Sequence, residues 1–165
     1  MGRATWWTPA WIGLGSNLDD PPRQLDAAVA ALAALPKTML VARSRRYRSR
    51  PIGPQDQPDF LNEVVALVTR LDAAELHAAL RALESALGKV PPPVRFGPRR
   101  IDLDLLAHGA TVLATDSLEL PHPRLHQRAF VLYPLAEIAP ELWIPGRGRV
   151  AALSAAVPGE GVSPV

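Results

Sequence analysis

An α+β fold built on an antiparallel sheet is what this 165-residue chain predicts, on three observations. Short runs in which apolar residues alternate with others are separated by longer runs with a helical apolar period. Glycine, proline and aspartate punctuate the boundaries. The runs come in the order strand, helix, strand, strand, helix, strand. That is the ferredoxin-like βαββαβ arrangement, with the helices packed on one face of the sheet. A further helical run follows as a C-terminal extension.

Each element has its own signal. Residues 11–14 read as the first strand, and Gly13-Leu14-Gly15-Ser16-Asn17 as the turn out of it. Asp19 or Asp20 can cap a helix with Pro21 or Pro22 in its first turn. Leu25, Val29, Leu32 and Leu35 lie along one side of that helix, and Pro36 ends it. Residues 38–50 and 60–69 look extended, the latter around a buried run from Val64 to Val68. Asp72-Ala73-Ala74-Glu75 is a capping-box start for a second helix. Leu76, Leu80, Leu83 and Leu87 carry it to Gly88, a natural stop. After a proline-rich loop, Ile101, Leu103 and Leu105 alternate with Asp102 and Asp104 in another strand. Leu118-Glu119-Leu120 suggests a short strand, and residues 124–137 a further helix. One domain is expected over residues 1–165, with its core at about 11–145, an extension at 1–10 and a loose tail at about 157–165.

Bulk composition narrows the function classes. Hydrophobic content is 48% with only 5% aromatics, so Ala, Leu and Val must fill the core. A net charge of +2 gives no argument for a general nucleic-acid binder. The absence of cysteine removes disulfides and thiolate metal sites. No apolar run approaches the roughly 20 residues that span a bilayer, and Pro9 interrupts the apolar residues 6–14. A cytoplasmic monomer, binding neither membrane nor nucleic acid, is therefore expected.

The run Arg95-Phe96-Gly97-Pro98-Arg99-Arg100-Ile101-Asp102-Leu103-Asp104 carries the chemistry. Side chains at i and i+2 of a strand share a face, so Asp102 and Asp104 point the same way. Two carboxylates so placed repel unless a cation lies between them. Magnesium suits them, because it takes oxygen ligands and keeps waters and substrate phosphates in its shell. Arginines just upstream offer forked donors for the same phosphates. The plain alternative is a solvated strand face with Arg99 paired to Asp102 or Asp104. Neither a P-loop nor a dinucleotide fingerprint is present, since Leu18 stands where the third glycine belongs. His-Glu-x-x-His, Gly-x-Ser-x-Gly and a cysteine nucleophile are also missing, which argues against a covalent mechanism.

Arg95-x-Gly97-Pro98-Arg99-x-x-Asp102-Leu103-Asp104-Leu105-Leu106 resembles the signature of the 6-hydroxymethyl-7,8-dihydropterin pyrophosphokinases, enzymes of folate biosynthesis. Three other blocks resemble the family in order and spacing. These are Gly13 to Asn17, Pro51 to Asn62, and Pro121-His122-Pro123 with the stretch from Arg128 to Pro140. The resemblance implies transfer of pyrophosphate from the co-substrate ATP to the pterin hydroxymethyl group, with release of AMP. It implies two Mg2+ ions on Asp102 and Asp104, with Arg99 and Lys89 also catalytic. ATP-binding roles fall on Arg81, Glu84, Arg99, Leu105, His122 and Arg128. Pterin-binding roles fall on Ser49, Arg50, Ile52, Phe60, Asn62, Phe96 and Phe130. Phe60 and Phe130 would sandwich the ring, which rewards offset stacking. Asn62 would read its edge with a donor and an acceptor. Taken alone, both phenylalanines would be assigned to the core.

The chain departs from the family pattern in places. Arg81 stands where a glutamine is frequent, and Phe96 where a tryptophan is. The loop before the signature carries Lys89 and Pro91-Pro92-Pro93 in place of the usual arginines. In the family this loop closes over ATP; here the prolines favour a stiff strut hinged at Gly88 and Gly97. A rival reading from another class makes the chain a nucleic-acid-binding module, using the basic stretch Arg43, Arg45, Arg46, Arg48 and Arg50. Tyr47 is the only aromatic there, whereas sheet readers place stacking aromatics at strand centres.

Overall fold

The computed structural model describes residues 6–92 and 94–165, so residues 1–5 of the expected extension and Pro93 of the proline run lie outside it. The first strand, β1 (Thr8–Ser16), is longer than the alternation at residues 11–14 suggested. Ala10, Ile12, Leu14 and Ser16 are buried on one face, which leaves Trp11, Gly13 and Gly15 on the other. Helix α1 (Pro21–Ala33) follows, with prolines at its first positions. Asp20 takes the N-cap place, but in the left-handed region at φ 66° and without a side-chain cap. Pro22 at the second position has no amide hydrogen to offer it.

The extended stretch 38–50 divides into β2 (Thr38–Arg43) and β3 (Tyr47–Ser49). Both pair with β4 (Phe60–Thr69), but the register slips between Arg43 opposite Val65 and Tyr47 opposite Asn62. Ser44 fills the break. Its N–H donates to the Val64 carbonyl at 2.9 Å, and its Oγ accepts from the Val64 N–H at 3.0 Å. Helix α2 (Ala73–Ala86) opens with the Asp72–Glu75 capping box that the sequence announced. Strand β5 (Asp102–His108) pairs with β1, and β1 with β4, all antiparallel. Leu25, Leu32, Leu76 and Leu80 of the two helices pack on Ile12, Leu14, Val65, Leu67 and Leu103 to make the main core. The ferredoxin-like order is thus present, with β1 and β4 central.

A hairpin of β6 (Leu113–Ala114) and β7 (Glu119–Leu120) leads to the C-terminal extension. The helix expected over residues 124–137 is a 3-10 turn at Leu125–Gln127 and a separate helix, α3 (Ala129–Ile138). Arg128 divides them with an extended backbone at φ −117° and ψ 105°. A second hairpin of β8 (Trp143–Ile144) and β9 (Gly148–Arg149) precedes α4 (Val150–Ala156). Val131, Leu132, Leu135 and Val150 pack with Val64 and Leu106 in a second cluster. The extension therefore covers part of the sheet face opposite α1 and α2.

The tail is not loose. Residues Val162–Pro164 form β10, antiparallel to β3. A three-residue edge strand such as β3 presents unpaired backbone groups, and β10 satisfies them.

Candidate active site

Where α3 stops covering the second face, the sheet is left with a floor of small residues. Gly13 and Gly15 of β1 supply no side chains there, and a cleft of about 650 Å³, its open mouth included, lies over them. Strands β3 and β4 contribute Ser49, Phe60 and Asn62, and Arg50 and Ile52 follow directly. Phe96 comes from the loop before β5, and Phe130 from the first turn of α3. All seven candidates for pterin contact therefore line one cleft. The same cleft is lined by Arg99, Asp102, Asp104 and Arg128.

The carboxylates differ in their surroundings. Asp102 is clasped from both sides, by Lys89 Nζ at 2.7 Å and Arg99 Nη1 at 2.7 Å. The plain pairing of Arg99 with Asp102 is thus realised in this structure. Asp104 receives no hydrogen bond among the described residues. Burial first, and then the charge of Asp102, push its carboxyl pKa up, against the pull of Arg81, Arg128 and Lys89. A carboxylate held this way is costly to ionise without a cation beside it.

Behind Asp102 stands Glu84 of α2, only 4% exposed. It accepts from the Leu103 N–H at 2.8 Å and from Lys89 Nζ at 3.1 Å, and pairs with Arg81 at 3.2 Å. Arg81 also donates to the Leu103 carbonyl. These two ATP candidates tie α2 to the aspartate strand. Burial alone would lower the Lys89 ammonium, but Asp102 and Glu84 outweigh it and its pKa is raised. Leu105 points the other way, into the core beneath α1 and α2, and its side chain does not reach the cleft. The alternation that turns Asp102 and Asp104 toward the cleft turns Leu103 and Leu105 away from it.

His122 follows β7, and its N–H donates to the Leu106 carbonyl at 2.9 Å. Burial, then Arg128 and Arg124, lower its pKa to about 4, so the ring is neutral at pH 7. Its Nδ1 accepts from the Arg124 N–H at 3.2 Å, which leaves the proton on Nε2. Arg128 sits 5.5 Å from the Phe130 ring centroid. Burial lowers its pKa and Asp104 opposes that, leaving a desolvated cation at the cleft.

In the cleft wall that holds Phe60 and Phe130, Asn62 donates from Nδ2 to Ser49 Oγ at 2.8 Å. Phe60 and Phe130 stack on no other aromatic ring among the described residues. Phe96 adopts φ 57°, a left-handed conformation rare for a bulky residue. It lies against Gly53, where a Cβ would come within 2.6 Å of the Phe96 Cβ, so only glycine fits. Arg95 and Arg124 flank its ring at 4.7 and 5.5 Å.

Asn17 and Gln57 were legible only as parts of motifs, yet they hold the cleft's rim together. Asn17 Nδ2 donates to Gln57 Oε1 and to the Pro58 carbonyl, both at 2.9 Å. Its Oδ1 accepts from the Arg99 N–H at 2.8 Å. Gln57 Nε2 donates to the Phe96 carbonyl at 2.8 Å. Asn17 stands in the turn after β1, where a buried amide with three partners is a packing hub.

The basic stretch is largely consumed internally. Arg43 and Arg46 pair with the buried Glu63 at 2.7 and 3.0 Å. Arg46 also pairs with Asp26 at 2.5 Å, and Arg45 with Glu137 at 3.1 Å. Charges so committed make a poor electrostatic footprint for a polyanion.

A family profile described as 7,8-dihydro-6-hydroxymethylpterin-pyrophosphokinase (HPPK) matches residues 11–140. The 2-amino-4-hydroxy-6-hydroxymethyldihydropteridine pyrophosphokinase of Pseudomonas aeruginosa is 47% identical over 152 residues, covering 92% of this chain and 93% of that protein. The protein of the same name from Methylorubrum extorquens is 48% identical over 139 residues, covering 84% and 87%. A crystal structure of Plasmodium falciparum HPPK-DHPS with pteroate superposes with a TM-score of 0.73 at 12% identity. This chain is covered to 94% there but spans only 43% of that longer chain, and the likeness is one of fold.

Proposed function

Because the chain belongs to the 7,8-dihydro-6-hydroxymethylpterin-pyrophosphokinase family, we propose a division of labour among its cleft residues. The enzyme transfers pyrophosphate from ATP to the hydroxymethyl group of 6-hydroxymethyl-7,8-dihydropterin in folate biosynthesis. The pterin oxygen attacks the β-phosphorus, the bond from that phosphorus to the α-phosphate oxygen breaks, and AMP leaves. Such a transfer is governed by positioning and charge stabilisation.

One observation supports the assignment: a single cleft is lined by the apolar wall and by the charged mouth. The pterin occupies the wall between Phe60 and Phe130, with Asn62 and Ser49 at its edge and Arg50, Ile52 and Phe96 around it. Its hydroxymethyl group faces Asp102 and Asp104. Arg99 and Arg128 bind the phosphates, and neutral His122 donates to them from Nε2. Lys89 leaves Asp102 for the nucleotide, while Arg81 and Glu84 fix the strand beneath it. Leu105 contributes to ATP binding through the strand's backbone.

Two Mg2+ ions fit the aspartate pair. Asp104 lacks a hydrogen-bond donor among the described residues, and Asp102 already attracts two cationic side chains. Bound magnesium supplies neutralisation of the phosphate charge and a lower pKa for the attacking hydroxyl. Because one chain supplies every residue of the cleft, a monomer suffices, and ATP as co-substrate fits a cytoplasmic site of action. No helix among the described residues is long and apolar enough to cross a membrane.

Asn62→Ala and Arg99→Ala test the division. Asn62→Ala is expected to raise the KM for the pterin and spare that for ATP. Arg99→Ala is expected to lower kcat by roughly 10²-fold, the scale of losing a charge-stabilising donor. Equal effects on both substrates from Asn62→Ala would contradict the assignment of the wall.

A further inference from the structure

The segment after α4 has no part in the chemistry just described, yet it reaches the back of the pterin-facing wall. Strand β10 lies antiparallel to β3, with Val162 opposite Ser49, Ser163 opposite Arg48 and Pro164 opposite Tyr47. The pairing continues past both ends of the strand. The Arg50 N–H donates to the Gly161 carbonyl at 3.3 Å, and the Val165 N–H donates to the Arg46 carbonyl at 2.9 Å. Ser49 and Arg50 line the cleft, so the wall's backbone is held from outside by β10 and from inside by β4.

Gly161 is what allows the close approach. Its φ is +78°, and a Cβ there would lie 3.0–3.2 Å from Cδ, Cγ and Nε of Arg50. The Arg50 stem therefore rests on bare backbone, and any side chain at 161 displaces it. Upstream, Gly159 packs on Tyr133 of α3, where a Cβ would meet the Tyr133 hydroxyl at 1.7 Å. The segment is thus anchored to the α3 layer at one end and to β3 at the other. Strand β3 is only three residues long, and β10 pairs with the edge that β4 leaves open.

We propose that residues 161–164 are a positioning element for the pterin subsite: Gly161 bonded to Arg50, Val162 opposite Ser49 and Ser163 opposite Arg48 hold Ser49 and Arg50 in the geometry that receives the pterin. This rests on the assignment of the wall to the pterin. Strand β10 lies at the opposite end of the sheet from β5, which carries Asp102 and Asp104.

The test uses the full chain with Gly161→Val or Ser163→Pro. The first puts bulk against Arg50, and the second removes the backbone donor facing Arg48. Three quantities are read for each variant. These are hydrogen-exchange protection of the Arg50 amide, affinity for a fluorescent oxidised pterin alcohol beside an unhydrolysable ATP analogue, and affinity for that analogue alone. The proposal expects lost protection, pterin affinity weakened about tenfold, the scale of one lost backbone hydrogen bond, and analogue affinity changed less than about twofold. Lost protection with unchanged pterin affinity overturns it. So does retained protection, because the wall would then not depend on β10. Equal loss of both affinities overturns it too, as the role would be structural. Asn62→Ala is the control: if it leaves pterin binding unchanged, the assignment of the wall fails; if it weakens binding while the two variants do not, only the positioning role fails.

Discussion

At the scale of single residues, burial moves Asp104 and His122 in opposite senses, raising the one pKa and lowering the other. Burial and then Asp102 hold the Asp104 carboxyl above its ordinary range, so ionising it without a cation beside it works against folding. Asp104→Asn removes that cost. The variant is expected to melt no lower than wild type. It is expected to lose at least about 10²-fold in kcat. Calorimetry and an AMP-release assay on the same preparations check both halves. His122 gives the opposite pH signature. Its folded pKa of about 4 lies below the ordinary 6.5. As pH falls through 6.5 the unfolded chain takes up a proton that the folded chain refuses. Stability is therefore lost between about pH 6.5 and 4, by about 2–3 kcal/mol. Denaturant titrations at pH 7 and 4.5 are expected to show a smaller pH loss in His122→Gln than in wild type. The Asp-x-Asp spacing and the arginines were visible in the sequence because strand geometry alone orients them. The difference between Asp102, clasped by two cations, and Asp104, with no donor, was not. It depends on Lys89, which comes back from the far end of a loop.

Elements explain which parts were readable and which were not. Helix α2 announced both its ends, since a capping box and a terminal glycine act locally. The stretch 38–50 read as one extended run because no glycine or proline interrupts it. Its division at Ser44 arises from a side chain bonding the neighbouring strand at Val64, which no local pattern records. The tail was misjudged for a similar reason. Proline and glycine from Pro158 to Gly161 suggest disorder, but Gly161 is the turn that delivers β10 to the open edge of β3. Asn17 is the strongest case of a non-local role. One buried and two part-buried hydrogen bonds join the turn after β1 to the Gln57–Pro58 loop and to Arg99. Asn17→Ala is expected to cost about 2–4 kcal/mol, because buried partners are left unsatisfied. It is also expected to lower kcat/KM for both substrates by loosening Phe96 and Arg99 together. Chemical denaturation and steady-state kinetics measure the two effects.

For the whole molecule, the two faces of one sheet have different tasks. The α1 and α2 face buries the large aliphatic core, and its periodicity made the fold class legible. The other face is half covered by α3 and α4 and half left open over Gly13 and Gly15. Those glycines looked like turn residues, and only the sheet shows that they make the floor of a cleft. Rigid strands thus carry the carboxylates, while loops and the α3 start bring Phe96, Arg99, Arg128 and Phe130 to them. In the proposed mechanism Asp102 and Asp104 hold divalent cations at the junction of the two substrates. Manganese binding, followed by electron paramagnetic resonance with an unhydrolysable ATP analogue, tests it most directly. Wild type is expected to bind two ions in the ternary state, and Asp104→Asn to lose one or to bind at least about tenfold more weakly. Two ions bound with equal affinity by both proteins would show that Asp104 is not a metal ligand.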